Sequence, residues 1–429
     1  MVAERMVIET RTLSQAPMAA GVASVAEPRA RVEEAERRTQ PRGRDRARRS
    51  AILALGTAVP GAGYPQARLV EFMKRAHRAD ARLARRLEFL YRHSGIETRH
   101  SCLEDYDRSP ADFTFYPRDW DAPPPTTRDR MAVYRRAGLP LARAAVASAL
   151  DRLPGFDRTR ISHLVVASCT GFNAPGLDVD LIASLGLRRS VARTLVGFQG
   201  CHAGLTCLRL ADEISRADED ALVLVVCLEL CTLHFQITPS EDNLLANSLF
   251  ADGASALVVG SGRGENGSRA EAIGGGSHGL RLEIAGNGSW LEPGTEGEMA
   301  WELGETGFQM RLSGLVPRIL GLNVGQFLTS VLDLDPEAAR NLDFWAIHPG
   351  GPAILDQMER SLGLAPHKLA ESRDILRECG NMSSPTVFFI LERILARLRA
   401  RPDGAPARGA ALAFGPGLTL EAVRFEATG

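Results

Sequence analysis

Ile161-Ser-His-Leu-Val-Val-Ala-Ser168, then Ser184-Leu-Gly-Leu187, then Gly200-Cys201-His-Ala-Gly204 ahead of an apolar run make up one strand-loop-helix stretch. About 180 residues later Leu342-Asp-Phe-Trp-Ala-Ile-His348 passes Pro349-Gly350-Gly351, reaches Ser361-Leu-Gly-Leu364, and arrives at Gly380-Asn381-Met-Ser-Ser384 ahead of another. The two stretches read as copies of one another. A duplication of this kind predicts two fused α/β halves, over residues 51–265 and 266–429. It also delivers Cys201 and Asn381 to matching helix starts, with His348 closing a strand. That trio has the makings of a site for acyl transfer through a thiolate.

Outward from the repeat, the runs Leu164–Ala167, Ala221–Cys227 and Ala410–Phe414 are apolar at every position, as expected of strands covered by helices on both faces. Ala51-Ile-Leu-Ala-Leu-Gly-Thr-Ala-Val-Pro60 reads as another buried strand closed by turn residues. Helical periodicity marks Leu69–Ala76, Ala81–Tyr91 and Met131–Leu153, the last with a break expected at Pro140. It also marks Phe308–Leu322 and Val324–Leu332. Residues 1–50 are rich in Ala, Arg, Glu and Pro with little apolar periodicity, and read as a mobile arm. The Gly/Asn/Ser-rich stretch Gly262–Ser268 is the expected boundary between the halves. Its Gly260-x-Gly262-x-Gly264 lacks the strand-to-helix frame and the lysine of a phosphate loop.

The bulk numbers exclude more than they assign. At 429 residues with a net charge of -1, the chain has no global attraction to nucleic acid or to an anionic membrane. No apolar run reaches the roughly 18 residues of a spanning helix, since Ala221–Phe235 is short and carries Glu229. The amino-terminal residues lack the order of a secretory signal, so a cytoplasmic location is expected. Seven scattered cysteines form neither a disulfide framework nor the paired spacing of a zinc site.

Cysteine attacks as thiolate, and a helix N-terminus or a neighbouring imidazolium lowers its pKa. Cys201 precedes a good helix former, and His348 could supply the imidazolium. Gly200 and Gly204 permit a sharp turn and close backbone approach. Each residue also has a plain structural reading: Cys201 as a small buried hydrophobe, His348 as a satisfied core residue, Asn381 as a helix cap. Two chemistries suit the trio. In a hydrolase His348 would be the base and Asn381 would orient it. In a condensing enzyme both would donate to the carbonyl oxygen of a thioester whose malonyl unit loses carbon dioxide.

Four segments carry a family resemblance: Gly200-Cys201-His-Ala-Gly204, Ile347-His348-Pro-Gly-Gly-Pro-Ala-Ile-Leu-Asp356, Gly380-Asn381-Met-Ser-Ser384 and Phe414-Gly-Pro-Gly-Leu-Thr419. They look like the signatures of type III polyketide synthases, the chalcone synthase superfamily, over about Ile52–Phe425. The resemblance implies a homodimer of thiolase-like fold in αβαβα layers. It also implies acyl-CoA and malonyl-CoA as substrates, with no carrier protein and no bound cofactor. It places the catalytic roles on Cys201, His348 and Asn381, and gatekeeping phenylalanines at Phe250 and Phe308. It puts Gly350 and Gly351 beside the substrate, and Arg86 and Arg99 at the CoA phosphates.

The departures concern the substrate. This chain has His202 and Ala174 where plant members carry Phe and an interface-crossing Met, and Cys169, Cys231 and His234 on the expected cavity wall. Glu229-Leu-Cys-Thr-Leu-His-Phe235 and His93-Ser-Gly-Ile-Glu-Thr-Arg99 look more like bacterial alkylresorcinol and alkylpyrone synthases. Small side chains at Ala174 and Cys231 would leave room for a flexible acyl tail, each methylene contributing about 0.8 kcal/mol on burial. A fatty acyl starter is therefore expected. The rival readings are an initiating ketoacyl synthase, a cysteine amidohydrolase, and a non-catalytic thiolase-fold binding protein.

Overall fold

A computed structural model describes residues 49–61, 63–261, 280–402 and 404–428. The expected arm, except for its last two residues, and the expected boundary Gly262–Ser268 lie outside these. From the amino-terminal side the elements are β1 (Ser50–Ala58), β2 (Gly63–Pro65), α1 (Gln66–Ala76), α2 (Ala81–Arg92), β3 (Thr98–His100), α3 (Thr127–Leu150), β4 (His163–Ser168) and α4 (Leu177–Leu185). There follow β5 (Ala192–Gly197), α5 (Ala203–Ala217), β6 (Val223–Leu230), α6 (Glu241–Leu249) and β7 (Asp252–Ser261). The remainder holds β8 (Arg281–Leu291), β9 (Met299–Gly304), β10 (Gly307–Leu312), α7 (Val316–Leu332), β11 (Phe344–Ile347) and α8 (Pro352–Leu362). It closes with α9 (Ala370–Cys379), α10 (Thr386–Arg399), β12 (Ala407–Gly415) and β13 (Thr419–Thr428).

The large sheet runs β11-β12-β13-β8-β1-β7-β6-β4-β5. Its two sides mirror each other about the β8–β1 contact, where Ala51 meets Glu283 and Ile52 meets Leu282. On each side two antiparallel pairings lead to a parallel one, β4 with β6 and β11 with β12, and the first side adds a further parallel strand, β5, beside β4. The duplication read in the sequence is thus visible as strand order.

Alternation along the strands then builds layers. Val223, Val225 and Cys227 of β6 face one cluster, with α5 and α10, while Leu224, Val226 and Leu228 face another, with α3 and α4. On β12, Ala411 and Ala413 face that same α5–α10 layer, and Ala410, Leu412 and Phe414 face α7 and α8. The five layers αβαβα follow, and runs apolar at every position are what a strand covered on both faces requires.

Several expected boundaries shift for identifiable reasons. α3 runs through Pro140 without ending. Its start is fixed by reciprocal Thr126–Asp129 capping, and Leu141, Ala142 and Ala145 are buried beyond the proline, so packing offsets a cost of about 3 kcal/mol. The helix expected from Phe308 is instead the strand β10, paired with β9 so that Gly307 meets Gly304 and Met310 meets Trp301. Phe308, Met310 and Leu312 alternate with polar residues, a period of two, and Gly307 at φ 111 makes the tight turn. α7 begins only at Val316 and continues through Val324 as one helix.

Candidate active site

Cys201 sits in the turn Gly200–His202 that feeds α5. Gly200 has φ +70, and a Cβ there would stand 2.4 Å from Pro416 Cδ, so this turn admits no larger residue without a shift. His348 follows β11, with its N–H donating to the Leu412 carbonyl at 2.8 Å. Asn381 lies one turn ahead of α10 rather than at its first residue. Its backbone is clamped to the α6–β7 connection: Asn381 N–H donates to Leu249 O at 3.0 Å and Ala251 N–H to Asn381 O at 2.8 Å. This parallel bridge sets Phe250 opposite Asn381.

One cavity of about 300 Å³ is lined by Cys201, His348 and Asn381 together, with Phe250, Cys169, Cys231, Gly350 and Gly351. Its remaining wall is mostly apolar: Phe89 and Leu90 from α2, Leu245 and Leu249 from α6, and the cross-strand pairs Met299/Leu312 and Trp301/Met310 from the β9–β10 hairpin.

The expected residues divide by position. Phe308 and His234 line a smaller adjoining cavity that shares Cys231, Phe250, Trp301 and Met310 with the main one. There the two rings stack at 4.1 Å. The Phe308 N–H donates to His234 Nδ1 at 3.0 Å, which leaves Nε2–H to donate to Thr170 O at 2.6 Å. Ala174 is on the surface and lines neither cavity, so it widens nothing within a single chain. Arg86 is exposed and paired with Glu241.

The expectation for Arg99 is overturned. Arg99 is buried, donating to Gln66 Oε1 at 2.9 Å and to the carbonyls of Asn247 and Phe250 at 2.8 and 2.6 Å. A guanidinium buried this deeply, with Nε and Nη1 bonded inside the protein, cannot reach a CoA phosphate. It instead pins the Phe250 backbone, and its side chain fills the space a Cβ would need at Gly380, whose φ is +74.

Electrostatics also departs from the expected imidazolium–thiolate start. Burial pushes Cys201 up to about 12; hydrogen bonds with Ser383 and Asn381 pull it back and the nearby Glu229 pushes it further. Burial, with His202 nearby, holds His348 down at about 3. Neither group ionises by itself. The two groups line one cavity, and among the described residues neither ring nitrogen of His348 has a hydrogen-bond partner, so the imidazole is free to receive a proton there.

Asn381 has a fixed orientation. Its Oδ1 accepts the Ser383 N–H at 2.8 Å, and Nδ2 donates to Gly350 O at 3.3 Å. An amide nitrogen carries two hydrogens, and the second is turned toward the Cys201 sulfur on the cavity side.

The sequence shows Glu229 as a charge that interrupts an apolar run and as the start of a family-like segment, and assigns it no role in the site. Its carboxylate accepts from Cys169 N–H at 3.0 Å, Thr170 Oγ1 at 2.8 Å and Ser384 Oγ at 2.7 Å, tying the ends of β4 and β6 to the Asn381 loop. Burial raises it to about 7 against those hydrogen bonds. A carboxyl whose folded pKa lies above its unfolded value stabilises most at low pH, and loses about 3 kcal/mol as pH rises from below the usual carboxylate range through about 7. Thermal melts should therefore show a falling Tm between about pH 5 and 8 that Glu229→Gln flattens. An equal fall in both proteins would remove Glu229 as its source.

The chain matches the family model described as chalcone and stilbene synthases, N-terminal domain, over residues 34–263, and its C-terminal counterpart over 284–428. It belongs to the chalcone and stilbene synthase family, the type III polyketide synthases. It is 34% identical over 341 residues to the alpha-pyrone synthesis polyketide synthase-like protein Pks18 of Mycobacterium tuberculosis, covering 80% of this chain and 82% of that one. Among solved structures it superposes on the C-terminal type III domain of Steely1, a type I/III hybrid from Dictyostelium. The TM-score is 0.75 at 28% identity, covering 88% of this chain and 99% of that one. Polyketide synthase PKS-I of the brown alga Ectocarpus siliculosus gives 0.76 at 29%, covering 88% and 98%. Type III polyketide synthases are acyltransferases that condense thioesters with loss of carbon dioxide from malonyl-CoA, which sets aside the amidohydrolase and non-catalytic readings. Among the described residues no helix is long and apolar enough to cross a membrane.

Proposed function

We propose that this synthase takes a fatty acyl starter onto Cys201, extends it two or three times with malonyl-CoA, and closes the product to an alkylpyrone. The Cys201 sulfur attacks the acyl-CoA carbonyl; its proton passes to His348 and then to the departing CoA thiolate. Malonyl-CoA next loses carbon dioxide, and the electron pair of the broken bond enters the thioester as an enolate. His348 and the second Nδ2 hydrogen of Asn381 hydrogen-bond its oxygen, while Phe250 keeps water from its carbon. The enolate carbon then attacks the acyl-Cys201 carbonyl and expels the thiolate, leaving the lengthened chain on CoA, from which the Cys201 sulfur takes it again, with release of CoA, for each further round. In the last step an enol oxygen of the polyketide attacks the terminal thioester carbonyl, releasing CoA and the lactone.

The apolar cavity wall beside Cys201 is the observation that carries the fatty starter, since its leucines, methionines and Trp301 offer burial and little polar recognition. Similarity to a protein named for alpha-pyrone synthesis supports lactone closure over resorcinol formation. Purified enzyme given malonyl-CoA and acyl-CoAs of graded length, read by mass spectrometry, should yield pyrones from long saturated starters, and Cys201→Ala should form no acyl-enzyme. Products made only from short or aromatic starters would sink the fatty reading.

The active unit in this proposal is a homodimer joined along β5. That strand is the sheet edge opposite β11, it is mostly exposed, and it carries Leu195 at 49% exposure beside the exposed rings of Phe172 and Phe198. An open edge bearing apolar groups is a template for pairing with another copy. Leu195→Arg should shift sedimentation from dimer to monomer, and an unchanged dimer would place the interface elsewhere.

A further inference from the structure

Arg99 is a buried cation to which neither acyl loading nor decarboxylation gives a part. It has no ion-pair partner among the described residues, and its guanidinium stands over the rings of Tyr91 and Phe235, 5.5 and 5.6 Å from their centroids. Its counter-charge is the end of a helix. α6 stops at Leu249, and the last four carbonyls of a helix need partners from outside the regular ladder. Here each has one. The Phe250 N–H donates to Ala246 O at 3.1 Å, Arg99 Nη1 and the Tyr91 hydroxyl to Asn247 O at 2.8 and 3.0 Å, Gln66 Nε2 to Ser248 O at 2.8 Å, and the Asn381 N–H to Leu249 O at 3.0 Å. Arg99 Nη1 also reaches past the helix to Phe250 O at 2.6 Å, while its Nε donates to Gln66 Oε1 at 2.9 Å. The macrodipole favours a cation at this position. Because one nitrogen holds the carbonyls of both Asn247 and Phe250, it fixes the angle at which the chain leaves α6.

That angle sets the Phe250 ring. Phe250 leaves the helix in extended conformation, φ -76 and ψ 147, and lines the main cavity beside Cys201. The parallel bridge places Asn381 opposite it, and Gly380, just before Asn381, lies against the Arg99 stem, where a Cβ would stand 2.8 Å from Arg99 Cγ. One side chain therefore touches both backbone segments that meet at the bridge. We propose that Arg99 is a positioning residue, holding the Phe250 ring against the Asn381 segment so that the enolate formed from malonyl-CoA attacks the acyl-Cys201 carbonyl instead of taking a proton. This inference rests on the shielding role given above to Phe250. After carbon dioxide leaves, the enolate carbon has two fates. It forms the carbon-carbon bond and expels the Cys201 thiolate, or it takes a proton from water, leaving hydroxide and acetyl-CoA. The second fate grows when the ring shifts and water reaches the carbon. Lysine is no substitute for the arginine, because an ammonium lacks the planar fork that serves Gln66 Oε1 and two carbonyls together.

The test reads the partition between those fates. Enzyme is given palmitoyl-CoA and radiolabelled malonyl-CoA, and label in acetyl-CoA is compared with label in extended products. Acylation of Cys201 by palmitoyl-CoA alone is followed by intact mass. Arg99→Lys should raise the ratio of acetyl-CoA to product about tenfold and leave loading within about twofold, since small displacements at a reacting centre already change rates on that scale. Gln66→Met, which removes the Nε acceptor and keeps the arginine, should raise the ratio about threefold, and it decides the matter where Arg99→Lys is too unstable to assay. Phe250→Ala should leak at least as much as Arg99→Lys, and combining the two should add nothing, because the arginine acts through that ring. An unchanged ratio in Arg99→Lys and Gln66→Met beside a leaking Phe250→Ala would overturn the role of Arg99 and leave that of Phe250 standing. Loading, decarboxylation and condensation slowed in equal measure would make Arg99 a structural cap only, and would overturn it too. Absence of a leak in Phe250→Ala would instead strike the shielding role in the proposed function, and this inference with it.

Discussion

His348→Ala should slow iodoacetamide alkylation of Cys201 at pH 7 by at least about a hundredfold, and turn a shallow pH profile into one that climbs about tenfold per unit up to pH 10. The reasoning turns on who receives the proton. Buried as it is, the Cys201 thiol titrating by itself stands near 12, which leaves on the order of 10⁻⁵ of the sulfur ionised at pH 7. With His348 in the same cavity the proton can cross to the imidazole, and the resulting ion pair is favoured on the sulfur side by Ser383, by Asn381 and by the N-terminal N–H groups of α5. Removing the imidazole removes the acceptor and leaves the other three, so the raised value of the lone thiol should govern. The sign is firm: a raised thiol pKa means reactivity lost at neutral pH and regained in alkali. Alkylation of the variant at the wild-type rate at pH 7 would show that His348 takes no part in ionising the sulfur.

How much of this was legible before the structure depended on whether a signal was local. Buried strands such as Val223–Leu230 announced themselves because both faces are covered, leaving Glu229 as the one polar residue in the run. Cys201, His348 and Asn381 were legible because a repeat and two glycine turns fix them within short segments. The hairpin β9–β10 was not, although Met299-x-Trp301 and Met310-x-Leu312 alternate; Phe308 beside an apolar stretch was given a helical period instead. Glu229 and Arg99 failed for another reason. Their partners lie 59 to 155 and 33 to 151 residues away in the chain, so nothing nearby in sequence says whether such a charge is solvated, catalytic or structural. Arg99 looked like a phosphate ligand, and its buried bonds to backbone carbonyls are a tertiary fact.

Asn381→Ala should lower malonyl-CoA decarboxylation by about 10² to 10³, the cost of losing one donor aimed at a developing oxyanion. Acyl loading onto Cys201 should fall by less than about tenfold, because there Asn381 contributes only a hydrogen bond to the sulfur. The separation of the two rates is what distinguishes an oxyanion donor from a structural asparagine. A merely structural role would act through the loop: Asn381 Oδ1 orders the Ser383 N–H, and Ser384 in turn bonds Glu229. Its loss would then disturb loading and decarboxylation alike. Asn381→Asp sharpens the point, since one carboxylate oxygen can still accept from Ser383 at the position of Oδ1 while the other presents negative charge where Nδ2–H stood. That variant should keep the loop and decarboxylate no faster than the alanine. Unchanged decarboxylation in Asn381→Ala, or recovery in Asn381→Asp, would take the carboxamide out of the reaction and leave the enolate oxygen to His348.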